Sequence, residues 1–204
     1  MTAGIDTVVE AWISEHIGPV RTFERQQRWR PAWFVIAERD GRDVGLYVRG
    51  EREGFGFATV ATEAKILRVL EAHDIPVPHV HGEIVEASAV VMDLLPGAPN
   101  PCSASDPGDL DAVMDDYVDA LVRTHAIDPA AFAAVGLHSP ADPRALALDY
   151  FDTFVTRYRE FKQRPEPLLE FAIGWLHRNA PNHVRTPRFV LGDTGQYMYD
   201  QGRI

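Results

Sequence analysis

The chain has 204 residues, of which 46% are hydrophobic and 25% are charged, enough for one domain or two small lobes with a core. A formal net charge of −10 argues against a nucleic-acid-binding protein, because phosphate contacts need clustered lysine and arginine. The sequence shows no leader-like N-terminus and no apolar run of membrane-spanning length, and its single cysteine, Cys102, allows no internal disulfide. We therefore expect a soluble cytoplasmic protein that contacts neither nucleic acid nor a membrane.

The first half of the sequence predicts a helix followed by an antiparallel sheet that carries a second helix. Apolar residues recur at helical spacing over residues 5–17, and Gly18-Pro19 ends that helix. The link around Asp40-Gly41 is a hairpin signal between two apolar runs. A second helix is predicted over residues 58–73. The strand candidates are residues 20–23, 32–37, 44–48, 82–85 and 89–93.

The second half is predicted to be mainly helical. Residues 98–108 are rich in Pro, Ser, Ala and Gly, so we place a lobe boundary there, with lobes of residues 1–96 and 97–204. Asp128-Pro129 and Asp142-Pro143 each resemble a helix N-cap followed by proline at the first helical position. Further helices are predicted over residues 110–125, 143–161 and 167–178, and residues 189–204 predict a strand, a loop and a strand. The fold class is therefore α+β.

Glu63 lies beside the apolar stripe of the second predicted helix. A carboxylate in that position is costly unless it has a partner. The nearest candidate by topology is Arg49, at the end of the preceding strand. The alternative is that Glu63 only borders the stripe and reaches water.

Several short motifs then follow one another along the chain. They are Leu46-Tyr47-Val48-Arg49, Thr62-Glu63-Ala64-Lys65-Ile66-Leu67, Ile75-Pro76-Val77-Pro78, Val90-Val91-Met92-Asp93-Leu94-Leu95-Pro96-Gly97, Leu121-Val122-Arg123-Thr124-His125 and Leu191-Gly192-Asp193. Their order and spacing, from about Phe23 onward, resemble the aminoglycoside phosphotransferase family, the small-molecule branch of the protein-kinase-like fold. The resemblance implies an N-terminal five-stranded antiparallel sheet with a helix, and a mainly helical C-terminal lobe that is incomplete here.

The resemblance also implies an ATP- and Mg²⁺-dependent phosphotransferase that acts on a hydroxyl group of a small molecule. Asp193 would be the catalytic residue that accepts or orients the substrate hydroxyl, and Gln196 would help to hold magnesium. Arg49 would hold the nucleotide phosphates with Glu63 as its helix partner. The backbone at the hinge would meet the adenine edge through residues Met92, Asp93, Leu94 and Leu95.

Some positions depart from the family pattern. Leu191 stands where the family usually has His, and Gln196 follows Asp193 by three positions instead of five. The segment from Arg28 to Trp33 replaces a glycine-rich loop, and the second acidic metal ligand has no counterpart before Ile204. These departures predict a truncated or degenerate domain that binds ATP weakly with little dependence on magnesium. The alternative function is a non-catalytic, kinase-like module that binds a nucleotide or a partner.

His79 and His81 form a His-x-His pair next to the proline-rich loop, and such a pair can chelate a transition metal. No cysteine or acidic ligand lies nearby at metal-binding spacing. We therefore do not expect a transition-metal site there.

Overall fold

The computed structural model of the protein describes residues 4–51, 59–99, 107–183, 186–192 and 197–204. Its helices are α1 (Ile5–His16), α2 (Val60–Glu71), α3 (Pro107–Ala126), α4 (Pro129–Ala133), α5 (Pro143–Ala147), α6 (Phe151–Phe161) and α7 (Pro167–Asn179). Its strands are β1 (Val20–Arg25), β2 (Ala32–Arg39), β3 (Arg42–Gly50), β4 (Val80–Ile84) and β5 (Ala89–Asp93). The chain divides into unit 1, Met1–Ile127 with Val190–Ile204, and unit 2, Asp128–Phe189. The lobe boundary predicted at residue 96 stays a prediction.

Unit 1 is built on the five-stranded antiparallel sheet that the sequence predicts, in the order β1-β2-β3-β5-β4. The β2–β3 hairpin turns at Asp40 and Gly41, whose φ angles are 53° and 75°. Two consecutive positive φ angles are the geometry of a type I′ turn, which matches the twist of the flanking strands. The hairpin prediction is therefore confirmed.

Helix α1 covers one face of the sheet. Its Val9 and Ile13 are fully buried against a core that includes Trp33, Leu46 and Val48. The indole Nε1 of Trp33 donates a hydrogen bond of 2.8 Å to Asp6 of the same helix. This contact satisfies the polar atom of an otherwise apolar side chain in the core.

Helix α2 covers the opposite face. Val60 and Ala64 pack with buried strand residues that include Val90 and Met92, and Thr59 caps the helix by accepting the N–H of Thr62 at 3.2 Å. Side chains alternate between the two faces along a strand, so the neighbours of buried Val48 on β3 face α2. That alternation places the side chain of Arg49 on the α2 face.

Helix α3 and the last described residues complete unit 1. The rings of Tyr117 and Tyr197 stack with centroids 4.4 Å apart, and Tyr199 forms an isolated antiparallel bridge with Ala98. The N–H of Ile204 donates to the carboxylate of Asp116 at 2.9 Å.

The strand–loop–strand prediction for this last stretch is wrong in the described part. Residues 186–192 form no strand, and Tyr199 makes a single bridge in place of a ladder. Residues 197–204 are held by contacts with α3, among them the Tyr197–Tyr117 stack and the bond from Ile204 to Asp116, rather than by a strand ladder. The predicted turn is present, because Asp200 and Arg203 bridge across Gln201-Gly202.

Unit 2 consists of α4 to α7. The predicted N-caps are confirmed, since the Asp128 carboxylate accepts the N–H of Ala130 and the Asp142 carboxylate accepts that of Ala145, each at 2.8 Å. The single helix predicted over residues 143–161 is wrong. Tyr150 adopts a φ angle of 64°, a left-handed conformation that an α-helix cannot contain, and it separates α5 from α6.

Helices α6 and α7 are joined by charged side chains around Glu170. Its carboxylate lies 2.6 Å from Lys162 Nζ and 3.1 Å from Arg159 Nη2. The hydrogen bond from Lys162 lowers the pKa of Glu170, and the same bond raises the pKa of Lys162. None of the helices in the described residues is long and apolar enough to cross a membrane.

Candidate functional site

The centre of the candidate site is an ion pair between β3 and α2. Arg49 Nη1 lies 2.7 Å from Glu63 Oε1, and the two side chains are 27% and 26% exposed. The strand register fixes the position of Arg49, which pairs with Ala32 on one side and Val90 on the other. The predicted partnership of Arg49 and Glu63 is therefore confirmed, and the possibility that Glu63 only reaches water is not what the structure shows.

A second guanidinium group reaches the same carboxylate. Arg30 Nη1 lies 3.7 Å from Glu63 Oε2, and the Arg30 side chain is only 19% exposed. The connection from β1 to β2 holds it there, because the carbonyl of Pro31 accepts the N–H of Gly50 at 2.8 Å. Arg30 also lies over the ring of Trp29, 5.1 Å from its centroid.

Sequence reasoning missed Arg30. It treated the segment from Arg28 to Trp33 only as a bulky replacement for a glycine-rich loop. The signal that could have found it is the hairpin register, since Arg30 comes two residues before Ala32, the strand partner of Arg49. Two neighbouring arginines need an anion between them, and Glu63 is the carboxylate that the sequence already pairs with Arg49.

The site carries an excess of positive charge at Arg30. Burial lowers the pKa of Arg30, and the adjacent Arg49 charge lowers it further, while Glu63, then Tyr47 and Glu51, act in the opposite direction. The carboxylate of Glu51 is itself engaged, because it accepts the N–H of Val60 at 3.2 Å. A group whose positive charge is disfavoured by its surroundings is suited to receive an anion.

The two guanidinium groups also keep unused hydrogen-bonding capacity. Their Nε atoms are buried and find no hydrogen-bond partner among the described residues. A buried donor without an acceptor costs free energy, and such atoms are uncommon in folded proteins. The donor set is thus a pair of arginines, the chemistry that binds phosphate oxygens best.

The predicted adenine-binding stretch lies at the end of β5. Met92 is buried and sits in the ladder between Tyr47 and Val80. The N–H of Asp93 donates to the carbonyl of His79 at 3.0 Å.

Beyond β5 the backbone is tied to β3. The N–H of Leu94 donates to the carbonyl of Gly45 at 3.0 Å. The N–H of Leu95 has no backbone partner within the described ranges. Of the four predicted positions, Leu95 therefore has the backbone N–H that is free of the sheet.

Both histidines of the His-x-His pair contact carboxylates. His81 Nε2 lies 2.8 Å from the Asp93 carboxylate, and His79 Nδ1 lies 2.8 Å from the Glu71 carboxylate. Within the residues that the structure describes, no group of three or more His, Cys, Asp or Glu side chains could hold a metal ion. His81 and Asp93 thus form a contact between β4 and β5, while His79, just before β4, contacts the end of α2.

The predicted catalytic residue Asp193 and the predicted magnesium ligand Gln196 lie outside the described residues. Their roles stay predictions.

Solved structures with a similar fold are the first comparison with known proteins. The chain resembles a crystal structure of a protein assigned as an aminoglycoside phosphotransferase from Ralstonia eutropha JMP134, with a TM-score of 0.62, 16% identity and 88% of this chain aligned. It spans 55% of the length of that protein. No curated protein sequence matches the chain.

Two further similar structures are ternary complexes of thermostable mutants of the aminoglycoside phosphotransferase APH(4)-Ia. One contains AMP-PNP and hygromycin B, with a TM-score of 0.56, 15% identity, and alignment over 96% of this chain and 68% of that one. The other contains ADP and hygromycin B, with a TM-score of 0.53, 16% identity, and alignment over 95% and 73%. At these identities the similarity shows the fold, which is the kinase-like α+β fold predicted from the sequence.

The sequence itself provides the assignment. The APH model, described as the phosphotransferase enzyme family, matches residues 26–196, well over half of the chain, and this range includes Arg30, Arg49 and Glu63. The protein therefore belongs to the APH phosphotransferase enzyme family.

Proposed function

We propose that the protein is an ATP-dependent phosphotransferase that acts on a hydroxyl group of a small molecule. The observation that carries the proposal is the 2.7 Å ion pair of Arg49 and Glu63, which joins β3 to α2 on one face of the sheet. Membership of the phosphotransferase family and the fold shared with nucleotide-bound aminoglycoside phosphotransferases support it. Phosphoryl transfer asks a protein mainly for positioning and for neutralisation of charge, and this pair is suited to both.

Each residue of the site then has a defined task. Glu63, 2.7 Å from Arg49, would orient it so that its remaining N–H groups point at phosphate oxygens. The backbone N–H of Leu95, which has no backbone partner within the described ranges, would meet the adenine edge. When bound, ATP would supply the phosphoryl group that is transferred. Asp193 would accept or orient the proton of the substrate hydroxyl, and Gln196 would help to hold magnesium.

A turnover assay tests the proposal. ADP release is measured with ATP and magnesium over a panel of small hydroxyl compounds that includes hygromycin B, other aminoglycosides, choline and simple sugars. We expect at least one compound to stimulate turnover and Asp193→Asn to reduce it by about 100-fold or more, the usual contribution of a positioned proton acceptor. The matched control is Asp200→Asn, a carboxylate later in the same stretch of sequence, which should retain turnover. Equal rates for Asp193→Asn and the unaltered protein would contradict the proposal.

A second candidate is a module that binds nucleotide without transferring phosphate. The β1–β2 connection favours it, because the N–H groups of Gln26 and Arg28 are used inside the connection, on the carbonyls of Ala32 and Gln26. Backbone amides that are already engaged cannot cover phosphates. Calorimetric titration of ATP, combined with the turnover assay, separates the candidates: binding with turnover supports the enzyme, whereas binding without turnover over the whole panel supports the module.

A further inference from the structure

Arg30 is a feature of unit 1 that the fold does not explain. The Arg30 side chain is 19% exposed, and its Nε has no partner among the described residues. Its guanidinium lies 3.7 Å from Oε2 of Glu63, while Oε1 of the same carboxylate lies 2.7 Å from Arg49. A single carboxylate therefore faces two guanidinium groups. The carboxylate of Glu51, which also acts on the Arg30 charge, accepts a backbone N–H of α2.

A purely structural role would require Arg30 to stabilise the fold. The geometry argues against this role, because Arg30 gives up hydration and faces the like charge of Arg49, while its one ion pair within the described part of the chain is the 3.7 Å contact with Glu63. Its contact with Trp29, a ring that is 59% exposed, adds little. An arginine held at such a cost in free energy is better explained by a ligand than by the fold.

The ligand chemistry follows from the donors. Each guanidinium group has five N–H donors in a planar arrangement that fits the oxygens of phosphate. Two groups converging on one carboxylate leave a net positive charge that a polyanion would neutralise. A phosphate chain also places several oxygens along a line, so that neighbouring phosphates can contact the two arginines together.

We propose that Arg30 and Arg49 together form a two-arginine site that binds a polyphosphate chain directly, with Arg30 acting in place of the backbone amides of a glycine-rich loop. The proposal rests on the proposed function, since the polyphosphate would be that of the nucleotide. It adds Arg30 as a phosphate-binding residue and a mode of phosphate binding that requires no metal ion between the protein and the phosphates.

The probe is inorganic tripolyphosphate, titrated calorimetrically into the protein with EDTA present to remove divalent cations. We expect the unaltered protein to bind it, and both Arg30→Gln and Arg49→Gln to weaken binding by about tenfold or more, as expected for a lost charge-assisted hydrogen bond. Arg30→Lys, which retains the charge, should recover part of the affinity. The matched control is Arg28→Gln, an exposed arginine of the same connection whose guanidinium donates to the hydroxyl of Tyr47 at 3.1 Å, and it should bind as the unaltered protein does.

Thermal unfolding of the same variants separates a binding role from a structural one. The unfolding temperature of Arg30→Gln should be unchanged or higher without ligand, and tripolyphosphate should raise it less than it raises that of the unaltered protein. A lower unfolding temperature with unchanged affinity would overturn the proposal, as would an absence of tripolyphosphate binding by the unaltered protein. Arg30-dependent binding without ATP turnover would uphold the proposal and contradict only the enzymatic function. ATP turnover together with an unchanged tripolyphosphate affinity of Arg30→Gln would uphold the enzymatic function and contradict the role of Arg30.

Discussion

Glu63 contacts a different arginine through each of its two carboxylate oxygens, at 2.7 Å for Arg49 and 3.7 Å for Arg30. The three side chains are each about a quarter exposed or less, so solvent screens their charges only in part. Removing the carboxylate would leave two positive charges close together in a site that is mostly closed to water. Glu63 is thus the residue on which the arrangement of the other two depends.

We predict that Glu63→Gln lowers the free energy of unfolding by about 1–3 kcal/mol, because an uncompensated pair of partly buried charges remains. Urea unfolding monitored by tryptophan fluorescence measures it. The matched control is Glu83→Gln, which removes the partner of Arg68 in a more exposed pair at 2.8 Å, and its effect should stay below about 1 kcal/mol. Equal losses for the two variants would show that the Glu63 site behaves as an ordinary surface pair.

At this scale the sequence was sufficient for one residue pair and insufficient for its neighbour. A carboxylate beside an apolar stripe is stable only with a cationic partner, and Arg49, near the end of β3, lies within reach of it. Arg30 lies in an irregular connection, where neither a helical nor a strand period says which way a side chain points. Only the register of β2 with β3 brings it to Glu63.

Elements with a strong local signal were predicted well. Helix α1, the sheet strands and the capped starts of α4 and α5 follow from apolar periodicity, turn residues and N-caps. The failures occur where local signals are weak. The apolar spacing of residues 143–161 does not predict the positive φ angle of Tyr150, which separates α5 from α6. A single backbone bridge, such as that of Tyr199, has the same sequence pattern as a strand.

The β2–β3 hairpin offers a test of a single turn. At Gly41, with a φ angle of 75°, an added Cβ would meet no atom within 4 Å, so any cost of a side chain comes from the backbone alone. We predict that Gly41→Ala lowers the free energy of unfolding by about 1–2 kcal/mol, the penalty for a left-handed L-residue. Gly41→Asn should cost less, since Asn tolerates this conformation. Urea unfolding of both variants measures the difference, and an alanine as stable as glycine would show that the turn changes its type.

The whole molecule carries ten more negative than positive charges. Charges of one sign repel one another across a folded surface, and dissolved salt screens that repulsion over about 10 Å at 0.1 M ionic strength. We predict that the midpoint temperature of thermal unfolding rises as sodium chloride is increased from about 0.02 M to 0.3 M. Scanning calorimetry measures it. The control is the same salt series at an acidic pH where the net charge is near zero, and the midpoint should rise less there. A midpoint that falls with salt at neutral pH would mean that the individual ion pairs outweigh the net repulsion.

Unit 1 is discontinuous along the chain, since Asp128–Phe189 lie between its two parts. The bridge between Ala98 and Tyr199 therefore joins backbone made early in translation to backbone made about a hundred residues later. The entropic cost of closing a loop grows only slowly with the number of residues, so this separation delays formation of the bridge more than it lowers the stability of the folded protein. On the ribosome, the sheet with α1 and α2 can form long before its last neighbour exists. During that interval, the part of α3 that later stacks on Tyr197 stays open to chaperones and to other nascent chains.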